Sequence, residues 1–241
     1  MWLGVNIGNS RISFGIFKDR ILIKRFDFFK EKYNSKRLKI ILKRYKIDKA
    51  IICSVVPDLT KKIKKELRGF LKIKIYIVGK DINVPMKNLY RNPQKLGQDR
   101  LLNAYAGAVL YGAPCIVIDL GTAITFDIVS KYRTYLGGMI LPGLDTSLKA
   151  LSDYTSLLPY LKLKKPKEFI GKDTENCILS GIVYGFSFLI DGLIEKIKKN
   201  FGDNFRVIGT GGDISFMAKY CKTIQIIDKD LIFKGLALIS R

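Results

Sequence analysis

Residues 115–129 read CIVIDLGTAITFDIV, and residues 1–17 read MWLGVNIGNSRISFGIF. In each, an apolar run enters a corner of glycine and small polar residues and leaves as a second apolar run. Setting Asn6 against Asp119 brings Gly8 onto Gly121, and Ser13–Phe14 onto Thr125–Phe126 with a one-residue offset. The segments downstream of each corner also repeat. Residues 2–7, 11–17 and 21–28 read as strands, 35–46 as a helix, 49–54 as a strand, 58–70 as a helix and 73–78 as a strand. In the second half, 115–120, 123–129 and 133–141 read as strands and 174–199 as a long helix. A strand in FRVI, a helix, a further strand and a helix started by Asp228 or Asp230 complete the chain. The expectation is an α/β chain of two similar domains facing each other across a cleft, 1–112 and 113–241, with the boundary at YGAP (111–114).

Composition limits the chemistry. The 241 residues, 48% of them hydrophobic, can bury real cores, and no histidine is present, which excludes imidazole catalysis and Ser-His-Asp triads. Cys53, Cys115, Cys177 and Cys221 are widely spaced with no C-x-x-C, so they read as free thiols in a reducing cytosol rather than metal ligands or disulfides. No signal peptide is expected, and the best membrane candidate, GIVYGFSFLIDGLI, is short and interrupted by Asp191. The net charge of +22 raises the question of nucleic acid. The lysines, however, are scattered among isoleucines, as codon bias or a hot habitat would scatter them. The densest run, LTKKIKKELRGFLKIK, has helical apolar spacing at Leu59, Ile63, Leu67 and Phe70, so its lysines read as a solvated helix face. No membrane is expected as a partner, and nucleic acid is the weaker reading of the charge.

A strand-turn-strand corner with Gly, Ser, Thr or Asn can hold a phosphate. Glycine lets the backbone come close, main-chain N–H groups and small side chains donate to oxygens, and a neighbouring carboxylate can hold a cation. An ordinary hairpin turn is the alternative for either corner alone. GTGGD (209–213), after an apolar run and before a helix, adds a third candidate phosphate or nucleoside contact. Neither a Walker nor a Rossmann motif occurs. LGQDRLLNAY carries Asp99 and Arg100 at the mouth of a helix, where a carboxylate can start the helix or take a proton from an alcohol while the guanidinium grips an acidic substrate. The stripe Ile178, Ile182, Phe186, Leu189, Leu193 and Ile197, with Gly181 and Gly185 beside it, is a core face or an interface.

The ordered set NIGNS, SVVP (54–57), LYRNPQKLGQDR (89–100), DLGTAITFD (119–127), GGMILPG (137–143), IGKDT (170–174), SGIVYGFSFLIDGLI, GTGGD and DLIFKGLALI resembles a type III pantothenate kinase over nearly the whole chain. The resemblance implies a duplicated ribonuclease-H-like fold of the actin/hexokinase type, and a cytoplasmic homodimer formed through the long helix. It implies ATP-dependent phosphorylation of pantothenate, the first step towards coenzyme A. Carried over by position, Asn6, Gly8, Asn9, Ser10, Arg11 and Ser13 form the first ATP corner, and Thr122 and Gly211 also contact ATP. Tyr90, Gly97, Gln98, Asp99 and Arg100 bind pantothenate, with Asp99 the catalytic proton acceptor. Thr174 reaches pantothenate from the partner subunit, and Asp119 holds a monovalent cation, potassium or ammonium. Magnesium accompanies ATP.

The family pattern at the first corner is Asp-x-Gly-Asn-Thr, and here it is Asn6-Ile7-Gly8-Asn9-Ser10. Serine keeps the hydroxyl. Asparagine keeps the shape but removes the charge, so it can donate to a phosphate oxygen and cannot act as an anionic partner of magnesium. Two rival readings stay open at this level: a catalytically impaired relative with a regulatory or nucleic-acid-binding role, and a kinase of the same superfamily acting on another small alcohol.

Overall fold

The computed structural model describes residues 1–202 and 204–240. They form two units, one made of Met1–Ala106 and the segment from Asp230 onward, the other of Gly107–Lys229. This grouping differs from the expected 1–112 and 113–241 at the junction and in the final helix, which belongs with the first unit.

In the first unit β1 (Trp2–Ile7), β2 (Arg11–Lys18) and β3 (Ile21–Phe29) form an antiparallel meander. β4 (Lys49–Ser54) and β5 (Lys74–Ile77) add in parallel on the other side of β1, giving the order β3-β2-β1-β4-β5. Helices α1 (Ser35–Leu42) and α2 (Pro57–Leu71) are the crossovers that parallel pairing requires. Their Leu38, Leu42, Ile63 and Leu67 share one core with Leu3, Val5 and Ile7. Asn34 caps α1 by accepting from Arg37 N–H at 3.1 Å, and Pro57 begins α2, where its missing N–H costs no helical bond. The apolar pattern predicts that α1 runs to 46, but the helix ends at Leu42 and Ile47 is buried in the core.

The last helix, α7 (Leu231–Ile239), docks because the sheet is bare beneath it. Gly4 and Gly15 are cross-strand partners. A Cβ on Gly15 would lie 2.8 Å from the Phe233 ring, and one on Gly4 3.2 Å from Leu236 Cδ1. The glycine pair therefore makes the seat for α7.

The second unit repeats the plan. β6 (Cys115–Leu120), β7 (Ala123–Val129) and β8 (Tyr135–Pro142) form the meander, and β9 (Arg206–Thr210) and β10 (Ile226–Ile227) pair in parallel beyond β6, giving β10-β9-β6-β7-β8. The boundary between the units falls within α3 (Gln98–Leu110), whose Gly107 lies against Val117 and Ile208. The helices of the second unit are α4 (Leu144–Asp153), α5 (Thr174–Phe201) and the short α6 (Ile214–Met217). Sequence reading missed α4, whose i, i+4 pair Leu144 and Leu148 is buried.

Helix α5 starts after Asp173, which accepts from Asn176 N–H at 2.8 Å. Its core face is Ile178, Leu179, Ile182, Val183, Ile190, Ile194 and Ile197. Phe186, Leu189 and Leu193, expected at the centre of the stripe, lie at its half-buried edge. By length and apolarity α5 could cross a membrane. Here it serves as a core helix: Asp191 accepts from the N–H groups of Lys222 (2.9 Å) and Thr223 (3.0 Å) and from the Thr223 hydroxyl (2.6 Å). Cys53, Cys115 and Cys221 are buried thiols and Cys177 is exposed.

Candidate active site

The two corners occupy the same place in two sheets of the same topology. In the first, Asn6 faces Ser13 across the β1–β2 ladder, and Gly8 N–H donates to Arg11 C=O at 2.9 Å. In the second, Asp119 faces Thr125 across β6–β7, and Gly121 N–H donates to Ala123 C=O at 3.1 Å. Asn9 and Ser10 separate the closing residues of the first turn, whereas Thr122 alone separates those of the second. That missing residue is the one-residue offset visible in the sequence.

In the first unit, Asn9, Ser10 and Arg11 are exposed at the turn, and the Arg11 guanidinium lies over the Phe29 ring at 4.9 Å. Ser13 is buried. Asn6 also pairs with Cys53 of β4. The Cys53 thiol is pushed well up, first by burial and next by the charge of Asp99. Asp99 lies in the first turn of α3 and its Oδ1 accepts from Arg100 N–H at 2.8 Å. Its carboxyl is raised above the ordinary value by burial, against the opposing pull of the Arg100 N–H and charge. Gly97 leaves that carboxylate its place, since a Cβ there would lie 2.7 Å from Asp99 Oδ1 and push it aside. Gly79, at φ +80°, lets Gln98 lie against its backbone, where a Cβ would come 2.7 Å from Oε1. Arg100 is buried and Tyr90 half-buried, with Tyr90 N–H donating to Asn88 Oδ1 at 3.3 Å. The structure thus brings Asn6, Ser13, Gly97, Asp99 and Arg100 into one unit. It also shows what SVVP does: Ser54 Oγ accepts from Val56 N–H (3.1 Å) and from the Thr60 hydroxyl (2.6 Å), fixing the turn from β4 into α2.

In the second unit three segments meet. Gly211, at φ +95°, sits where a Cβ would strike Leu120 C=O and come within 2.5 Å of Asp119 Oδ1. Asp213 N–H donates to Leu120 C=O at 3.1 Å, tying GTGGD to the corner. From the other side Gly143 N–H (3.0 Å) and the Thr146 hydroxyl (2.7 Å) donate to Thr122 C=O, and a Cβ on Gly143 would collide with Gly121 C=O. The Thr122 side chain is left exposed at the tip. Sequence reading missed Gly143 and Thr146 as site-forming residues. The signal was the Pro142-Gly143 pair before the unread α4.

Thr174 is exposed in the first turn of α5. Gly171 beneath it has no room for a side chain against the Asn176–Cys177 backbone, so the loop is pressed onto the helix start. The next turns of α5 present Gly181, Gly185, Phe188 and Gly192 to solvent.

These features agree with comparison to other proteins. A type III pantothenate kinase from Sulfurihydrogenibium sp. (strain YO3AOP1) is 35% identical over 258 residues, covering all of both chains. A Campylobacter jejuni crystal structure, described as a conserved candidate Baf family transcriptional activator, is 26% identical with a TM-score of 0.64, covering 98% of this chain and 96% of that one. The ROK hexokinase of Thermus thermophilus, at 14% identity and a TM-score of 0.51 over 99% and 97% of the two chains, shares the fold alone. The family profile for type III pantothenate kinase matches residues 2–196. With the duplicated hexokinase-type sheets, their paired corners and this match, the chain belongs to the type III pantothenate kinase family.

Proposed function

We propose that the protein phosphorylates pantothenate with ATP, the first step of coenzyme A biosynthesis. The observation that carries the site reading is the pairing of register-equivalent corners, Asn6/Ser13 and Asp119/Thr125, together with a buried carboxylate, Asp99, in the first turn of α3 in the first unit. Phosphoryl transfer asks chiefly for positioning and charge neutralisation, and the corners offer donors and close backbone for both. Asn6, Gly8, Asn9, Ser10, Arg11 and Ser13 serve the ATP phosphates, and Thr122 and Gly211 serve ATP from the second unit. Tyr90 and Gly97–Arg100 hold pantothenate. Its primary hydroxyl oxygen bonds to the γ-phosphorus, the bond to the β–γ bridging oxygen breaks and leaves as ADP, and the hydroxyl proton passes to Asp99. The raised carboxyl of Asp99 suits that role, since a base works best with a pKa moved towards the working pH.

Asp119 and Thr125 supply hard oxygens on one sheet face, which fits a monovalent cation. Magnesium would accompany the ATP phosphates. Such cations offset phosphate charge when bound. The exposed Gly181, Gly185, Phe188 and Gly192 of α5 support a homodimer that places Thr174 against the partner's pantothenate. The free thiols support a reducing, cytoplasmic setting. A coupled ADP-release assay with pantothenate, in potassium and in sodium, tests the reading. Turnover that requires pantothenate and is faster in potassium is expected, and ADP release indifferent to pantothenate overturns it.

A further inference from the structure

Behind Thr125 lies a buried carboxylate that the reaction does not touch. Asp127 is wholly buried, as is Tyr135. The Tyr135 hydroxyl donates to Asp127 Oδ1 at 2.8 Å, and the Thr125 hydroxyl donates to Asp127 Oδ2 at 3.1 Å. Thr125 and Asp127 are two apart on β7, so both point to the face of the sheet that carries Asp119. A threonine hydroxyl has one hydrogen and two lone pairs. With the hydrogen committed to Asp127, Thr125 can offer only lone pairs elsewhere.

Thr125 faces Asp119 across the β6–β7 ladder, and a cation there would accept lone pairs from both. We infer that Asp127 and Tyr135 are positioning residues that fix Thr125 as an oxygen ligand, so that Asp119 and Thr125 together hold the monovalent cation. The inference rests on the proposed cation role of Asp119.

The first corner supplies an internal control. Ser13 stands where Thr125 stands, and Gly15 stands where Asp127 stands. Gly15 has Leu22 and Phe233 within 2.8 Å of where a Cβ would be, so the floor there is apolar and no carboxylate fits. Of the two corners, the second alone has a device that turns its hydroxyl into an acceptor. The first leaves Ser13 able to donate, which suits a phosphate.

The test reads potassium binding without turnover, as the rise in melting temperature in potassium chloride over tetramethylammonium chloride at equal ionic strength. The proteins are the full chain and its Thr125→Val, Thr125→Ser, Asp127→Asn and Asp119→Asn variants. Asp127→Asn presents an amide that donates to Thr125 and reverses its hydroxyl. Thr125→Val and Asp127→Asn are expected to raise the half-saturating potassium concentration about tenfold or more, with Thr125→Ser close to the parent. If Asp127→Asn does not fold, the Val and Ser pair decides. Potassium binding at parental strength in Thr125→Val, with loss in Asp119→Asn, overturns the inference and leaves the cation reading intact. No potassium-specific shift in the parent overturns both.

Discussion

Replacing Asp99 by Asn tests the chemistry and the fold together. Asparagine keeps the shape and keeps an acceptor for Arg100 N–H, now bound at 2.8 Å, so the first turn of α3 is retained. What is lost is the charge. If Asp99 accepts the hydroxyl proton, kcat falls about 10²- to 10⁴-fold, the range for a general base, or ~3–5 kcal/mol of barrier. A loose transition state places the loss towards the lower end, because proton removal then lags behind bond breaking. KM for pantothenate moves far less than kcat.

Stability should move the other way. The folded carboxyl holds its proton to a higher pH than the unfolded one, because burial outweighs the help of Arg100. Its contribution is therefore intact below the unfolded value of about 3.9 and is lost as pH rises through the folded pKa. Asp99→Asn has no such loss, so it melts above the parent near about pH 8, and the gap closes towards about pH 4. The parent's rate should also fall in acid with a midpoint above the ordinary carboxylate value, a limb the variant lacks. Steady-state ADP release over pH and thermal melts at both ends of the range measure these effects. A kcat within about threefold of the parent removes Asp99 from proton transfer, and a variant that melts lower in alkali than in acid, relative to the parent, refutes the burial argument.

Gly211→Ala puts a Cβ at φ +95° within 2.5 Å of Asp119 Oδ1, and should cost ~1–3 kcal/mol of stability by denaturant titration while raising KM for ATP. Asn6→Asp restores an anionic group to the first corner and is expected to lower the magnesium concentration for half-maximal activity, and an unchanged magnesium titration refutes that role. A Cβ on Gly185, on the exposed stripe of α5, meets nothing within 4 Å, so Gly185→Leu should leave the fold intact, and on the proposed homodimer through α5 it should lower the mass found by light scattering towards that of one chain.

The topology was legible because each half announces its meander with short alternating runs and a glycine corner, and because Asn6 and Asp119 could be aligned. The offset between Ser13 and Thr125 was visible, but its cause, a shorter second turn, appears only in the ladder register. Helix α4 was not legible: LDTSLKALSD has only two buried leucines and comes after a Pro-Gly that reads as a stop. The predicted stripe of α5 holds at Ile178, Ile182 and Ile197, while Phe186, Leu189 and Leu193 sit at its half-buried edge, because periodicity over 28 residues admits neighbouring phases. The grouping of α7 with the first unit depends on Gly4 and Gly15 being cross-strand partners, which sequence does not reveal.

The duplication also bears on the roles proposed for Asn6 and Asp119. In a repeat, the two corners begin as copies and can diverge where their floors differ. Beneath the second, Asp127 and Tyr135 hold a polar network that takes the Thr125 hydrogen, which leaves Thr125 as an acceptor for the cation proposed at Asp119. Beneath the first, Gly15 opens onto Phe233 of α7, and nothing forces Ser13 to accept. An amide at position 6 can then join Ser13 in donating to an anion without a cation of its own. Loss of the charge at 119 has no such escape. Asp119→Asn should therefore reduce activity more than Asn6→Asp changes it, and the reverse order in one assay would show that the floors do not set the roles of the corners.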